Sequence, residues 1–582
     1  MYKGGEDLNR LTRLSLPFLI LFLILFSPLL WGEEGTLQTI LITGNKALKT
    51  DVLREQLKMT LNTPFYPYIF YNDVDGLKRF YRENGFPEAL ITAEYEKTPS
   101  GVVVNIQVEE GTPEIITRID AFPESASFNK IRKKFLNKRW ARGVEETLIL
   151  LLTEEFQKRG YYKPLIDIRK SEEGPHHVGL DVHIDKGERF YFGEIYCTGL
   201  KTIPVGYVLR EAPFSSGDLF NIDAVRKYQE RIYALGVFED INVRLIDAEQ
   251  TVTVLVDVNE GKSKWIGIDL GYTSPAVGRF GLEWGNNNVF GKLHKFSIVN
   301  RNEVDFETMN HQIAVDFNYS VGWVFGKKVD IAFINSILNE NQDKGRKTQL
   351  SFKILGHKEL GENRDLVTGY EKRLDYYSDI YSDETALPTD EWLITNGLIL
   401  EYYQDNLKNK VHPRESGYFI SSKNFFSGGF LEGDFSYIKT QTEGALYLDL
   451  HNNSHILVFH GAFRTLTPMS GDLRAPYDEL FALGGAYDLR GYAYKGFGDA
   501  FYKTALGNIE YRFLLYRSFW GEVFWDAAAG TEQNNALKWS EGVDSFGGGL
   551  RYVLPFIVIR VNYGMRDFSD EGVWHFVLGQ VF

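Results

Sequence analysis

Cysteine is almost absent from this chain of 582 residues, and the one present, Cys197, excludes an internal disulfide. A lone cysteine is compatible with an oxidising compartment. Proline is scarce at 18 residues, and a net charge of −14 argues against nucleic acid as the main partner, because phosphate binding needs a basic surface. After residue 32 there is no second long apolar run, so we expect no membrane-spanning helix in the mature chain.

Aromatic residues and glycine are abundant instead. Aromatics make up 15% of the chain, with 42 Phe and 33 Tyr, and glycine contributes 55 residues. Many aromatic residues with little proline are typical of extended strands joined by tight turns. The composition therefore favours a protein rich in β-structure.

The N-terminus has the pattern of an export signal. Three basic residues precede the apolar run "LSLPFLILFLILFSPLLWG", which ends at the small residue Gly32. A basic start, a short apolar core and a small residue are typical of a secretory signal peptide, so residues 1–32 are predicted to be removed near Gly32. A spanning helix is the alternative, and Pro17 and Pro28 within the run weaken it.

A threefold internal repeat follows the signal. Three kinds of landmark recur with a period of about 75 residues: the end of an opening strand, the end of a helix and the end of a closing strand. The landmark residues are Gly44, Ala121 and Gly199, then Gly85, Gly160 and Gly236, then Gly111, Gly187 and Gly261. Three independent landmarks with one shared period predict three copies of one module.

Each repeat has the element order β-α-α-β-β, which places two helices against one face of a small sheet. In "IDAVRKYQERIYALG" of the third repeat, Val225, Tyr228 and Ile232 fall on one helical face. This pattern resembles the POTRA (polypeptide-transport-associated) domain, and three unrelated α+β modules are the alternative. The predicted module boundaries are 36–111, 112–187 and 188–262.

Residues 263–582 have a different sequence pattern. Segments in which apolar and polar residues alternate are separated by polar or glycine-rich turns. In "GNIEYRFLLY", Ile509 and Tyr511 share one face while Glu510 and Arg512 lie on the other. A soluble sandwich also alternates, but a membrane barrel places its apolar face toward lipid and its polar face toward the lumen. The export signal and the aromatic excess favour the barrel, whose length predicts about 16 antiparallel strands, with 14 or 18 as the neighbouring even counts. The predicted fold class is thus α+β modules followed by an all-β transmembrane barrel.

One arginine occupies the glycine- and aromatic-rich stretch "LFALGGAYDLRGYAYKGFGD". The stretch resembles the sixth extracellular loop of the BamA/TamA superfamily of outer-membrane assembly proteins, whose tip folds back into the barrel. This resemblance implies that the loop at 470–500 folds inward. Its motif residues are Gly484, Gly485, Leu489, Arg490, Gly491 and Tyr492.

Other parts of the barrel region carry marks of the same superfamily. "LEWGNNNVFGKLHKFSI", with Gly291 at its turn, resembles the opening hairpin. "VFWDAAAG", with Asp526, and "FGGGLRYVLP", with Gly549, resemble two late strands, although Ala528 stands where glycine is usual. The last strand resembles the C-terminal signal read by barrel-assembly machinery. The apolar residues of that signal are Trp574, Phe576, Leu578 and Phe582.

An inward-folded loop would carry the guanidinium of Arg490 into a lumen partly shielded from water, where an unpaired charge is costly. Alternation along "GEVFWDAAAG" places Asp526 on the lumen side. We therefore expect a bidentate Arg490–Asp526 pair that locks the loop to the lumen. Gly484, Gly485 and Gly491 are expected to permit the tight turn of the loop.

No catalytic, cofactor or metal constellation is found in the sequence. His176 and His177 in "GPHHVG" fall at a predicted hairpin turn and lack the other spaced ligands of a metal site. The glycines of "FGGGLRY" precede no helix that could hold a phosphate. We expect a protein that is not an enzyme and has neither cofactor nor metal.

The superfamily resemblance implies a location and a function. Such a protein would lie in the bacterial outer membrane with its POTRA modules in the periplasm. It would insert or export β-rich client proteins through a laterally opening barrel seam. Three modules are most similar to the TamA branch, which implies a TamB-like, inner-membrane-anchored partner besides the client proteins and the lipid bilayer.

Three alternatives to this function stay open. Within the superfamily they are a BamA-type core assembly subunit and a two-partner-secretion transporter. A passive pore or surface receptor is the alternative of another class. A pore would not need three periplasmic modules or a buried loop arginine, so the architecture favours assembly or translocation.

Overall fold

The structure is a computed structural model that describes most of the chain from residue 35 onward. The described residues are 35–122, 126–273, 277–306, 309–342, 345–361, 363–378, 391–469, 476–532, 535–555, 557–569 and 571–578. The predicted signal peptide, residues 1–32, and the terminal Phe582 lie outside them.

The chain forms two compact units, and the boundary between them runs through the third predicted module. One comprises the residues up to Glu194 together with Pro213–Arg226 and Leu245–Val254. The other comprises Ile195–Ala212, Lys227–Arg244 and the chain from Leu255 onward. The third module therefore contributes to both units.

The first module is a three-stranded sheet with two helices. Its elements are β1 (Leu37–Thr43), α1 (Thr50–Glu55), α2 (Pro67–Glu83), β2 (Leu90–Thr98) and β3 (Gly101–Glu109). The sheet order is β1-β3-β2, in which β3 pairs parallel with β1 and antiparallel with β2. Leu53 and Leu77 of the helices and Val104 of the central strand are all buried in one hydrophobic cluster, which gives the module its own core.

The second and third modules repeat this architecture. Their elements are β4 (Ile115–Phe122), α3 (Ala126–Phe135), α4 (Val144–Gln157), β5 (Leu165–Gly174), β6 (His177–Asp185), β7 (Tyr191–Thr198), α5 (Gly206–Leu209), α6 (Ile222–Ala234), β8 (Phe238–Ala248) and β9 (Thr251–Glu260). The sheet orders are β4-β6-β5 and β7-β9-β8, so the predicted order β-α-α-β-β is confirmed in all three modules. Among the described residues, no helix combines the length and the apolarity needed to cross a membrane.

The chain segments at two of the repeat landmarks meet in the first module. Gly44 follows β1 with φ 82°, and a Cβ there would lie 2.1 Å from the carbonyl oxygen of Val108. The carboxylate of Glu110, beside the landmark at Gly111, accepts hydrogen bonds of 2.9 Å from the backbone N–H groups of Lys46 and Ala47. The loop after β1 is thus closed by one glycine and one glutamate.

The third module uses the same closure and the second does not. Gly199 has φ 86°, and Glu260 accepts a hydrogen bond of 2.9 Å from the backbone N–H of Thr202. In the second module the corresponding residues are Ala121 and Lys186, so glycine and carboxylate are both replaced. The exception at Ala121 in the repeat therefore coincides with the loss of the carboxylate that closes the loop.

An antiparallel barrel forms from the remaining chain. Its region contains β10 (Lys264–Thr273), β11 (Val277–Val289), β12 (His294–Asp305), β13 (His311–Val321), β14 (Asp330–Gln342), β15 (Gly345–Gly361), β16 (Arg364–Ser378), β17 (Trp392–Asp405), β18 (Gly417–Ser427), β19 (Tyr437–Asp449), β20 (His455–Pro468), β21 (Phe481–Leu483), β22 (Gly498–Phe501), β23 (Lys503–Tyr516), β24 (Phe519–Thr531), β25 (Val543–Val553), β26 (Val558–Met565) and β27 (Val573–Leu578). β21 and β22 pair only with each other, and the other 16 strands close the barrel in sequence order, so the predicted strand number is confirmed.

Side chains alternate between the two faces of the barrel wall. On β24, Val523 and Trp525 are 51% and 44% exposed, whereas Phe524 and Asp526 are buried. An apolar outer face suits the hydrocarbon of the bilayer, and a polar inner face suits the lumen. The alternation predicted from the sequence is confirmed on this strand.

Residues 36–262, produced without the barrel, are expected to fold as a soluble fragment. The first and second modules each have a separate buried core, which is the property of a unit able to fold alone. Circular dichroism should give a mixed helix and strand spectrum with a cooperative thermal transition. A spectrum typical of an unfolded chain would contradict the modular assignment.

Glu260 gives a pH-dependent test of the loop closure. Burial alone would raise its pKa, but hydrogen bonds from the Thr202 side chain and from the Ile203 backbone N–H outweigh burial and lower the pKa to about 2. Its stabilising contribution is therefore present above the ordinary pKa of 4.5 and lost as the pH falls toward 2. Between about pH 6 and pH 3, urea unfolding of this fragment should lose more free energy in the wild type than in Glu260→Gln. Equal losses would show that Glu260 is not the titrating group.

Candidate functional site

The loop between β20 and β23 folds into the barrel, although its residues 470–475 lie outside the described chain. It contains a short 3-10 turn, Tyr477–Glu479, followed by the ribbon of β21 and β22. Arg490 at its tip is 1% exposed and contacts lumen-facing side chains of the wall. Gly484 and Gly485 have φ 116° and 111°, a left-handed backbone that favours glycine.

Two carboxylates hold the side chain of Arg490. Its Nε donates to Oδ2 of Asp526 at 2.9 Å and its Nη2 donates to Oδ1 at 2.6 Å, so the pair is bidentate. Its Nη1 donates to Oε2 of Glu510 at 2.7 Å. The guanidinium carbon also lies 3.5 Å from the ring centroid of Phe524, a close cation–π contact. We term Arg490, Asp526 and Glu510 the tip anchor.

The backbone of the tip is held as closely as its side chain. The Gly491 N–H donates to Oγ of Ser545 at 3.0 Å. A Cβ on Gly491 would lie 2.4 Å from the Cβ of Ser545, and a Cβ on Gly564 would lie 2.1 Å from the carbonyl oxygen of Arg490. The backbone of Gly491 is not in the left-handed region, so this glycine serves close packing rather than the tight turn expected from the sequence.

The last barrel strand contacts the same tip. His575 on β27 is 1% exposed, and its Nε2 donates to the carbonyl oxygen of Arg490 at 2.8 Å. On β23, Asn508 donates to the carbonyl oxygen of Asp488 at 2.9 Å and to Asp526 at 2.8 Å. Together with the bond from Gly491 to Ser545 on β25, these contacts join the tip to β23, β24, β25 and β27.

Apolar side chains surround the remainder of the tip. Leu489 is fully buried and belongs to a cluster with Leu466, Leu483 and Phe501, against which Tyr492 also packs. Such packing keeps water away from the tip anchor, and hydrogen bonds between charged groups are stronger where water is excluded.

A second set of ion pairs ties the 3-10 turn of the loop to other strands. Asp478 accepts a hydrogen bond from Lys347 on β15. Glu479 accepts hydrogen bonds from Arg373 on β16 and from Lys439 on β19, the latter at 2.6 Å. We term these five residues the turn anchor. The two anchors fix the loop at two separate places on the barrel wall.

The other predicted motif glycines lie away from the loop tip. Gly291 has φ 69° and follows Phe290 with φ 59° in the turn between β11 and β12. Gly549 lies on β25, where a Cβ would approach the carbonyl oxygen of Val561 to 2.5 Å. The first glycine therefore shapes a turn, and the second permits close packing of β25 on β26.

The predicted C-terminal signal residues lie on the outer face of the barrel. Trp574 and Phe576 on β27 are 66% and 37% exposed. Leu578 ends the same strand on the same face, and Phe582 lies outside the described residues. Trp574, Phe576 and Leu578 therefore do not face the lumen, where the tip anchor lies.

The first and last barrel strands, β10 and β27, meet where the barrel closes. β10 opposes β11 at ten positions, from the pair Lys264↔Asn286 to the pair Thr273↔Val277. Among the described residues, β10 opposes β27 at one position, Thr273↔Val577. We term this junction of β10 and β27 the seam.

Family models match both parts of the chain. A model described as the Omp85 superfamily domain matches residues 266–582. The chain belongs to the Omp85 superfamily. A POTRA model, described as a surface antigen variable number repeat, matches residues 36–111 and 190–261, which correspond to the first and third modules. As an Omp85 protein with POTRA modules, the chain lies in the outer membrane with its modules in the periplasm, as predicted.

Two curated relatives and one solved structure are similar to this chain. The chain is 25% identical over 615 residues to the outer membrane protein assembly factor BamA of Nitratidesulfovibrio vulgaris, covering 94% of this chain and 74% of that protein. It is 21% identical over 326 residues to BamA of Buchnera aphidicola, covering 52% of this chain and 51% of that protein. The crystal structure of BamA from Haemophilus ducreyi lacking POTRA domains 1-3 has a TM-score of 0.56 at 16% identity, covering 80% of this chain and 99% of that one. At this identity the likeness shows the fold. The relatives named here are BamA proteins, so the closer similarity to the TamA branch stays a prediction.

Sequence reasoning missed several residues of the site. Glu510 and His575 could have been found, because both lie on the polar side of predicted strands. Asp478 and Glu479 carried no such signal, because they precede the recognised loop motif and their partners lie on distant strands. Within the described chain, no group of three or more His, Cys, Asp and Glu side chains could hold a metal ion.

Arg490→Ala is expected to destabilise the folded barrel by roughly 3–5 kcal/mol, because Asp526 would stay buried without its bidentate cation. Arg490→Lys should restore part of this stability, since an ammonium group cannot form the bidentate fork. The urea dependence of heat-modifiable mobility in gel electrophoresis measures the folded fraction of each variant.

Two controls accompany this measurement. Arg279→Ala removes a half-exposed lumen arginine that donates to Glu303 at 2.9 Å, and it should cost less than about 1 kcal/mol. Asp526→Ala, alone and combined with Arg490→Ala, completes a double-mutant cycle. Strictly additive effects in the cycle would contradict a direct coupling of Arg490 and Asp526.

Proposed function

We propose that this protein inserts or exports β-rich client proteins at the bacterial outer membrane by opening its barrel at the seam. The observation that carries the proposal is the contrast between ten opposed positions of β10 with β11 and one of β10 with β27 among the described residues. Its relatives from Nitratidesulfovibrio vulgaris and Buchnera aphidicola are outer membrane protein assembly factors, which agrees with this function.

The seam provides a physical reason for client insertion. Backbone N–H and C=O groups without partners cost several kcal/mol each in the hydrocarbon of a bilayer. Ile266 and Ile268 on β10 are 77% and 68% exposed, so the strand presents an apolar outer face next to this weakly paired edge. A client strand that pairs with β10 would satisfy the backbone groups and bury part of that face.

The modules can hold clients before they reach the barrel. In the sheet order β1-β3-β2, the central strand is β3, which leaves β1 and β2 as edges. An extended chain can add to such an edge through backbone hydrogen bonds without a defined sequence. This mode of binding suits unfolded clients that share β-rich character rather than a motif.

The loop supports one side of the seam in this mechanism. His575 on β27 donates to the carbonyl oxygen of Arg490, so β27 is bonded to the buried tip as well as to β26. Separation of β10 from β27 leaves that bond intact. The tip anchor then holds the last strand in position while β10 accepts a client strand.

The branch within the superfamily is a second element of the proposal. Three modules favour a TamA-type protein with a TamB-like, inner-membrane-anchored partner, and the named BamA relatives favour a BamA-type core subunit. Affinity purification of the full-length protein from native membranes distinguishes the two. A large inner-membrane-anchored protein in the eluate supports the TamA type, and assembly lipoproteins in its place support the BamA type.

A disulfide across the seam is expected to block function. Thr273→Cys and Val577→Cys, introduced after Cys197→Ser, occupy the opposed position of β10 and β27. Opposed residues have Cβ atoms about 4.5–5.5 Å apart, near the range of a disulfide. Oxidation should abolish insertion of a radiolabelled barrel protein into proteoliposomes, and reduction should restore it.

A matched pair tests whether a disulfide alone impairs the barrel. Ile268→Cys with Leu282→Cys opposes β10 and β11 instead, and its oxidation should leave insertion unchanged. Full insertion with an oxidised seam pair would exclude lateral opening. A steady, large conductance of the wild-type protein in planar bilayers would support the passive pore instead.

A further inference from the structure

Three buried arginines lie on neighbouring positions of the lumen wall. Arg512 on β23, Arg551 on β25 and Arg560 on β26 are each at most 1% exposed. Arg551 is directly opposite Arg560 in the register of β25 and β26. Opposed Cβ atoms in an antiparallel sheet are about 5 Å apart, so two like charges are held side by side. We term these residues the arginine cluster.

Two carboxylates connect the arginine cluster to the tip anchor. A single oxygen of Glu510, Oε1, accepts hydrogen bonds from Nε of Arg512 and from Nη2 of Arg551. Glu522 accepts hydrogen bonds from Arg551 and from Asn562. The shared oxygen brings the first two guanidinium groups together, and Glu510 also accepts from Arg490 through its other oxygen.

Many donors of the arginine cluster have no acceptor among the described residues. These donors are Nη1 and Nη2 of Arg512, Nη1 of Arg551, and Nε and Nη1 of Arg560. Nε1 of the buried Trp520, which opposes Arg551, is likewise without an acceptor in the described chain. The ring of His412 lies 4.8 Å from that of Trp520, and neither of its nitrogens has a described partner. Buried N–H groups are nearly always satisfied in folded proteins, so an acceptor is required here.

The charge of the same region is also unbalanced. With Arg490, the cluster has four buried guanidinium groups and three buried carboxylates, those of Asp526, Glu510 and Glu522. One positive charge is therefore left without a counter-charge within this group. A buried charge without a partner is costly, and additional hydrogen bonds alone do not neutralise it.

We propose that the arginine cluster binds a small monovalent anion of the carboxylate or halide class inside the barrel. One negative charge balances the excess, and an anion accepts several of the N–H donors at once. Guanidinium groups bind carboxylates through paired N–H donors, and the same donors can surround a halide. Because Glu510 is shared with Arg490, the bound anion stabilises the tip anchor as well as the wall.

Thermal unfolding of the full-length protein in detergent micelles tests this site. Tryptophan fluorescence gives Tm in sodium bromide, sodium formate and sodium gluconate at one ionic strength. Bromide or formate should raise Tm by several degrees in a saturable manner, because a ligand that binds only the folded state stabilises it by mass action. Gluconate is too bulky for an enclosed site and gives the baseline.

Two variants assign the effect to the arginine cluster. Arg560→Gln removes the excess charge, so the anion-specific rise in Tm should disappear while the Tm in gluconate stays at or above that of the wild type. Arg279→Gln is the matched control, because this lumen arginine is half exposed and paired with Glu303. Its rise in Tm should equal that of the wild type.

Anomalous diffraction from wild-type crystals grown in bromide locates the ion without any variant. A bromide peak at the guanidinium groups of the arginine cluster supports the site. If formate raises Tm while bromide neither raises Tm nor gives an anomalous peak, the site is specific for carboxylates. Equal Tm values in all three salts, without a peak, mean that water satisfies the donors and overturn the proposal. A full-sized rise in Arg560→Gln would place the anion elsewhere and overturn it as well.

Discussion

Arg490 carries a full positive charge into the barrel, where its side chain is 1% exposed to solvent. The lost hydration of a buried charge must be offset by close partners, and here Asp526 and Glu510 supply them at 2.6 to 2.9 Å. Asp526 is itself buried on the wall, so it and the arginine cannot separate without leaving an uncompensated charge. Glu510 is shared, because it also accepts from Arg512 and Arg551. The position of the loop, the packing of Gly491 and the bond to β27 all follow from this constraint.

Among the described residues, the interior of the barrel is more densely bonded than the junction of its first and last strands. Inside, the tip anchor and the turn anchor tie the loop to five strands on either side of its own connection. At the seam, by contrast, β10 and β27 oppose each other at one described position. In lipid, unpaired backbone groups cannot turn to water, so a strand edge is costly there unless another strand pairs with it. In the proposed mechanism, these interior bonds hold the rest of the wall together while the seam opens.

The modules and the strand number could be predicted because their signals are local. A glycine after the first strand and a glutamate after the last recur in the first and third modules, since both close this loop in the same way, as Gly44 and Glu110 do. The exception at Ala121 and Lys186 is visible in the sequence too, but its meaning is not, because the contact joins residues 64 and 58 positions apart in the first and third modules. Alternation likewise placed Asp526 on the lumen side, and the fold agrees.

The sequence by itself determined the modular order, the faces of the strands and the loop that carries Arg490, because each depends on residues close together in the chain. Tertiary structure decided the partners. The second carboxylate at Arg490, the contact of His575, the pairing of Lys347 with Asp478 and the crowding of Arg551 against Arg560 depend on strand register and on where the loop enters the barrel. Register is set by pairing between whole strands and by packing across the lumen, so no short stretch of sequence contains it.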